Sequence, residues 1–199
     1  MSPLDDADVV VPVRERILDA ALQLIQLHGL HAMTQAKVCE IAGVRHSHLT
    51  YYFPTRVKLL KEVVMRGAET VLALLDGPED KRAGSLAALR TALSELPSNR
   101  GLSRMMVAVY VVSDEEPSLR PWMDKFQMNG LQRVKRALEA IGIKPPQRAV
   151  EAFLACLIGT LFNDYAAASE RSRKRSKAVI RHAFDQMVAA GKGPRLSDW

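Results

Sequence analysis

From Val13 onward polar and apolar residues recur with helical spacing. Ile17, Ala21, Leu24 and His28 fall on one side of a first helix, and Leu18, Leu22 and Ile25 widen the same face. Gly29 supplies the stop expected just past a helix end. Residues 1–12 mix acids, valines and prolines without a stripe and read as a flexible arm. Thr34 is placed to cap a short second helix in which Val38, Ile41 and Ala42 face inward, and Gly43 ends it. Ser47 to Phe53 has room for two helical turns only, because Pro54 removes a donor and restricts the residue before it. Thr55 then caps a long fourth helix carrying Val57, Leu60, Val64, Ala68, Val71 and Leu75 at spacings of three and four.

The polar loop Asp76 to Gly84 reads as a boundary region. Beyond it helical stripes return around Leu86 to Leu96, Leu102 to Val112 and Trp122 to Ile141. Val109 to Val112 leans toward strand by composition, yet Leu102, Met105, Met106 and Val109 precede it in helical register, so it belongs to a buried helix. Between Arg148 and Tyr165, Val150, Leu154, Leu157, Ile158, Leu161 and Tyr165 form one stripe, beside the small Ala152, Ala155 and Gly159. After a basic connection from Arg171 to Lys177, Val179, Ala183, Met187 and Ala190 repeat the pattern, broadened by Ile180, Phe184 and Val188. Two such faces either complete the monomer core or form a dimer bundle; periodicity leaves both open. The expected architecture is all-α with about nine helices. It comprises a three-helix helix-turn-helix domain over 13–60 and a larger helical body over 61–199.

Composition narrows the class. A hydrophobic fraction of 48% with 25% charged residues is that of a globular protein, and a net charge of +6 favours a polyanionic partner. Cys39 and Cys156 are far apart and match no disulfide or zinc spacing, which fits a reducing compartment. The acidic N-terminal residues do not resemble a secretion signal, and no apolar run is expected to reach the length of a membrane span, so the reading is cytoplasmic. His46 and His48 near Cys39, or His28 and His31, lack the ligand spacing of a structural metal site; no metal or cofactor is expected. No glycine-rich phosphate loop, nucleophile elbow or zinc-protease helix points to an enzyme. The run Arg171, Arg173, Lys174, Arg175 and Lys177, followed by an amphipathic face, leaves a helical interaction or membrane-surface module as the rival reading. A solvated interhelical loop explains it better.

The segment Thr34 to Phe53 is helix, tight glycine turn, helix, the geometry a DNA major groove accepts. Arg45, His46, Ser47 and His48 form the leading edge of the second helix, where side chains reach base edges, and each can donate or accept a hydrogen bond. Lys37, Arg45, Arg56, Lys58, Lys61 and Arg66 are opposed in this region only by Glu40 and Glu62, an excess suited to phosphate neutralisation.

The series Arg14-x-x-Ile17, Ala20-Ala21, Gly29, Thr34, Ile41-Ala42-Gly43-Val44, Leu49, Tyr52-Phe53-Pro54-Thr55-Arg56 and Leu59-Leu60 resembles the DNA-binding domain of the TetR family of regulators, in register over residues 13–60. The resemblance implies phosphate contacts at Thr34 and Gln35 and base contacts from Arg45 to His48. It also implies that Tyr52 and Arg56 grip the backbone, with Phe53 in the core. Two departures stand out: Ser47-His48 replaces a small pair, and Thr50, still counted with Tyr51 among the DNA-contacting residues, replaces a tyrosine whose longer phosphate contact Tyr51 is placed to supply. The resemblance further implies a homodimer on a near-palindromic double-stranded operator, usually as a repressor, with the reading heads about 34 Å apart and their separation changed by a small-molecule effector. Met105, Met106, Tyr110, Trp122, Phe126, Met128, Phe153, Phe162 and Asn163 are the candidate pocket residues, each with plain core packing as its alternative. An apolar, aromatic or acyl effector fits that set. The expected dimer face takes in Val150, Leu154, Leu157, Ile158, Leu161 and Tyr165, then Val179, Ala183, Phe184 and Met187.

Overall fold

A computed structural model describes residues 11–76 and 85–192, so most of the N-terminal arm and of the Asp76–Gly84 loop lies outside the described residues. The described residues form nine α-helices: α1 (Val13–His28), α2 (Gln35–Ala42), α3 (His46–Tyr52), α4 (Arg56–Ala73), α5 (Leu86–Glu95), α6 (Arg100–Glu115), α7 (Arg120–Glu139), α8 (Gln147–Ala167) and α9 (Glu170–Lys192). Side-chain caps set several of the starts. The Thr34, Thr55, Ser85 and Asn99 oxygens accept from the backbone amides of Lys37, Lys58, Ala88 and Leu102 respectively.

Helices α1 to α3 close on a core of Ile17, Ala21, Ile25, Val38, Leu49 and Phe53. Gly43 ends α2 at φ 61°, ψ 42°, a left-handed turn glycine adopts without strain. Arg16 of α1 holds that turn, donating through Nε to the Ala42 carbonyl at 3.0 Å and through Nη2 to the Gly43 carbonyl at 2.8 Å. The angle between α2 and α3 is thereby tied to α1. Arg14 lies over the Phe53 ring, 5.9 Å from its centre, and pairs with Glu62 of α4.

Helix α4 runs out of the reading domain and into the body. It buries Leu59, Leu60, Val63, Val64, Gly67, Ala68 and Leu72, a face rotated toward Leu59 and Val63 from the expected stripe, which leaves Val57 45% exposed. Ile41, expected inside, is 47% exposed, and His28 also faces solvent. Each sits at or near a helix end, where periodicity no longer reports what packs against it.

Helices α8 and α9 form the most extensive helix pair. Phe153 and Phe184 meet edge to face between them, with ring centres 5.9 Å apart. Helix α5 is pinned to α9 by Arg90, whose Nε and Nη2 donate to the two Asp185 oxygens at 2.7 and 2.6 Å. Two expectations are corrected here. Arg171 to Lys177 is not a connection but the first two turns of α9, because Ala168 makes the turn in a left-handed conformation at φ 46°. Helix α8 is long and apolar enough to cross a membrane by length and composition. Its Val150, Phe153, Leu157 and Leu161 are buried in the core, while its other faces are largely exposed.

Candidate nucleic-acid interface and effector cavity

Arg45, in extended backbone, leads into α3, and His46, Ser47 and His48 fill the first turn; all four are exposed. His46 Nε2 lies 3.3 Å from Gln35 Oε1, joining the beginnings of α2 and α3. Thr34 accepts from the Lys37 amide at 3.3 Å, which leaves its hydroxyl proton available to a phosphate oxygen. Tyr51 is 79% exposed, and Tyr52 is half-buried against the core with its ring edge-on to Tyr51 at 5.1 Å. Thr50, counted among the DNA-contacting positions, is half-buried. Its hydroxyl points back along α3 toward the His46 and Ser47 carbonyls, 3.1 Å from each, so its single proton is already committed.

Electrostatics trim the basic face. Lys61 turns away to Glu116 at 3.3 Å and Ser118 Oγ at 2.6 Å. Arg66 pairs with Glu15 and, at 2.6 Å, with Asp19. The Ser118 hydroxyl and then Lys61 hold the Glu116 carboxyl below its ordinary range, and Arg66 followed by Arg14 does the same for Glu15. These two cations therefore join α4 to its neighbours. Lys37, Arg45, Arg56 and Lys58 are exposed and make no ion pair among the described residues.

In the body, a cavity of about 410 Å³ lies among α4, α6, α7 and α8. Val71, Leu72, Leu75, Leu96, Leu102, Met106, Phe126, Leu131, Leu154, Leu157, Ile158 and Leu161 give it apolar walls, and Tyr110, Gln127 and Glu151 add polar groups. Four of the expected pocket residues, Met106, Tyr110, Phe126 and Met128, line it. The others do not. Met105 is buried on the other side of α6 against Gly67 of α4, where an added Cβ would come within 2.4 Å of its sulfur. Trp122 stacks on Phe126 at 5.6 Å, Phe162 meets Tyr110 edge-on at 5.5 Å, Phe153 faces Phe184, and Asn163 is exposed. Gly130 went unremarked in the sequence, although a Cβ there would reach within 3.6 Å of Leu72 and Leu75. That is ordinary van der Waals distance, and Gly130 is one of the residues that line the cavity.

Part of the expected dimer face is corrected. Val150, Leu157, Leu161, Phe184 and Met187 are 0–3% exposed in the protomer's own core, and Leu154 and Ile158 line the cavity. The outward surface of the last two helices is instead Ala152, Cys156, Gly159 and Asn163 of α8 with Val179, His182 and Gln186 of α9. A Cβ on Gly159 would meet nothing within 4 Å.

A family model for the bacterial regulatory proteins of the tetR family matches residues 17–63, and one for the tetracyclin repressor-like C-terminal domain matches residues 80–190. No curated protein matches the chain. Among solved structures, a transcriptional regulator from Rhodococcus sp. RHA1 is similar with a TM-score of 0.67 at 19% identity, covering 91% of this chain and 98% of that one. A TetR-family member from Streptomyces coelicolor A3 gives 0.60 at 20%, covering 87% and 98%. The multidrug binding protein EbrR, complexed with ethidium, gives 0.63 at 17%, covering 86% and 98%. With a matching reading domain, a matching C-terminal domain and an exposed helix-turn-helix edge, the chain belongs to the TetR family of bacterial transcriptional regulators.

Proposed function

We propose that this regulator acts in the cytoplasm as a homodimeric, ligand-responsive repressor. Its domain over 13–60 reads a near-palindromic operator, and its body over 61–199 binds the effector and the second subunit. The observation that carries the reading is the exposed Arg45–His48 edge, flanked by cations that make no ion pair among the described residues and set on a buried three-helix core. Arg45, His46, Ser47 and His48 contact bases; Thr34, Gln35, Tyr51, Tyr52 and Arg56 contact phosphates. The outward faces of α8 and α9 pack against their copies in the partner, since Ala152 and Gly159 of α8 let helices approach closely. EbrR, of similar fold, holds ethidium, which fits a body that encloses a small molecule.

Helix α6 is the coupling element. Its Leu102, Met106 and Tyr110 line the cavity, while Arg104 on another face donates to the Gln26 carbonyl at 3.0 Å and to the Leu27 carbonyl at the end of α1. Met105 meets α4 at Gly67, and Glu116 and Ser118, just past α6, hold Lys61 of α4. A ligand that displaces α6 therefore acts on both helices that carry the reading head, and it releases DNA only to the extent that it prefers the displaced state.

The roles are tested by selection from a random DNA pool followed by affinity measurement. Tyr52→Ala should weaken all sequences about equally. Arg45→Ala should relax preference at particular base pairs, by ~1–3 kcal/mol for a direct contact. Uniform weakening by both variants would contradict the division into reading and gripping residues.

A further inference from the structure

The cavity in the body is one-sided in charge. Of its lining residues only Glu151 and Tyr110 ionise, and no lysine, arginine or histidine is among them. Burial pushes the Tyr110 hydroxyl above its ordinary value, so at neutral pH it remains an uncharged donor and acceptor. Glu151 is exposed at the start of the second turn of α8, beside exposed Gln127, Met128 and Ala155, which mark the mouth of the cavity. Gln147 Nε2 donates to Glu151 Oε1 at 2.8 Å, which fixes the carboxylate without neutralising it. Glu151 makes no ion pair among the described residues.

This arrangement discriminates among ligands by charge. An anion entering the apolar walls would lose its hydration, find no cationic partner and face the Glu151 carboxylate. A compact, strongly hydrated cation would also lose too much hydration. A cation whose charge is spread over an aromatic system sheds water cheaply, can lie near the Phe126 and Tyr110 rings, and keeps Glu151 as counter-ion. At about 410 Å³ the cavity is within the range of pockets that hold drug-sized ligands.

We propose that the effector is a flat, delocalised organic monocation bound in this cavity with Glu151 at its mouth as counter-ion. The proposal rests on the reading of the cavity as the effector site.

Three probes of nearly equal shape test it near neutral pH: protonated 9-aminoacridine, neutral acridine and anionic acridine-9-carboxylate, titrated by fluorescence into the full chain. The cation should bind tightest, and Glu151→Gln should weaken it roughly fivefold while leaving neutral acridine unchanged. Ile158→Trp, which fills the cavity, should abolish binding of both. Binding of the carboxylate as tightly as the cation, or equal weakening of cation and neutral probe by Glu151→Gln, overturns the charge assignment. If that binding is still lost in Ile158→Trp, the cavity stands as the effector site. Cation binding that survives Ile158→Trp, or no binding by any probe, overturns both.

Discussion

Truncating Phe184 to alanine should lower the stability of the protomer by about 3–5 kcal/mol, a large part of the ~5–15 kcal/mol that holds a typical domain folded. The side chain is 0% exposed and meets Phe153 edge to face at 5.9 Å, so its removal deletes an aromatic contact and opens a void between α8 and α9. Chemical denaturation followed by circular dichroism measures the loss. The correction to the dimer face gives this prediction its diagnostic value. Val179→Asp, on the outward face of α9, should instead split the dimer with little loss of helix, and sedimentation should show dissociation at concentrations where the wild type stays associated. If Phe184→Ala dissociated the dimer and left the protomer's stability untouched, Phe184 would belong to the interface after all.

The second large effect is on signalling. Arg104→Met removes the guanidinium that spans from α6 to the Gln26 and Leu27 carbonyls at the end of α1 but keeps an apolar stem. Effector affinity should be unchanged, because Arg104 is not among the cavity-lining residues. The effect of the effector on DNA affinity should fall by about tenfold, within the usual range of coupling between sites. Measuring operator affinity with and without a saturating ligand, in both proteins, gives the coupling directly. Unaltered coupling in Arg104→Met would show that α4, through Gly67 and Lys61, carries the signal alone.

Much of this fold was legible in the sequence because helix caps and period are local. Thr34, Gly43, Pro54 and Thr55 mark the boundaries of the helix-turn-helix, and α6 kept its helical register through the strand-like Val109–Val112. What periodicity does not contain is the identity of the neighbour on each apolar face. The Leu154, Ile158 and Leu161 stripe reads equally as core, cavity wall or interface, and only the placement of α4 and α7 assigns it to the cavity. The basic face was overcounted for the same reason: Lys61 and Arg66 are basic in sequence, but Glu116, Glu15 and Asp19 from other elements take them up. The Thr50 hydroxyl is met by carbonyls within its own helix, a local bond that hydrophobic period does not report. Gly130 carries no pattern of its own, and its place in the cavity wall follows only from how α7 packs.

The most direct test is the salt dependence of binding to an operator recovered by selection. If Lys37, Arg56 and Lys58 each neutralise one phosphate in both protomers, six contacts are made, and log K should fall against log salt with a slope of about −5. Arg56→Gln should reduce the magnitude of that slope by about 2, one contact from each protomer, and leave the preferred sequence unchanged. A slope near zero, or no preference for any sequence over random DNA, would contradict the assignment of the Arg45–His48 edge and its flanking cations as the DNA-reading surface.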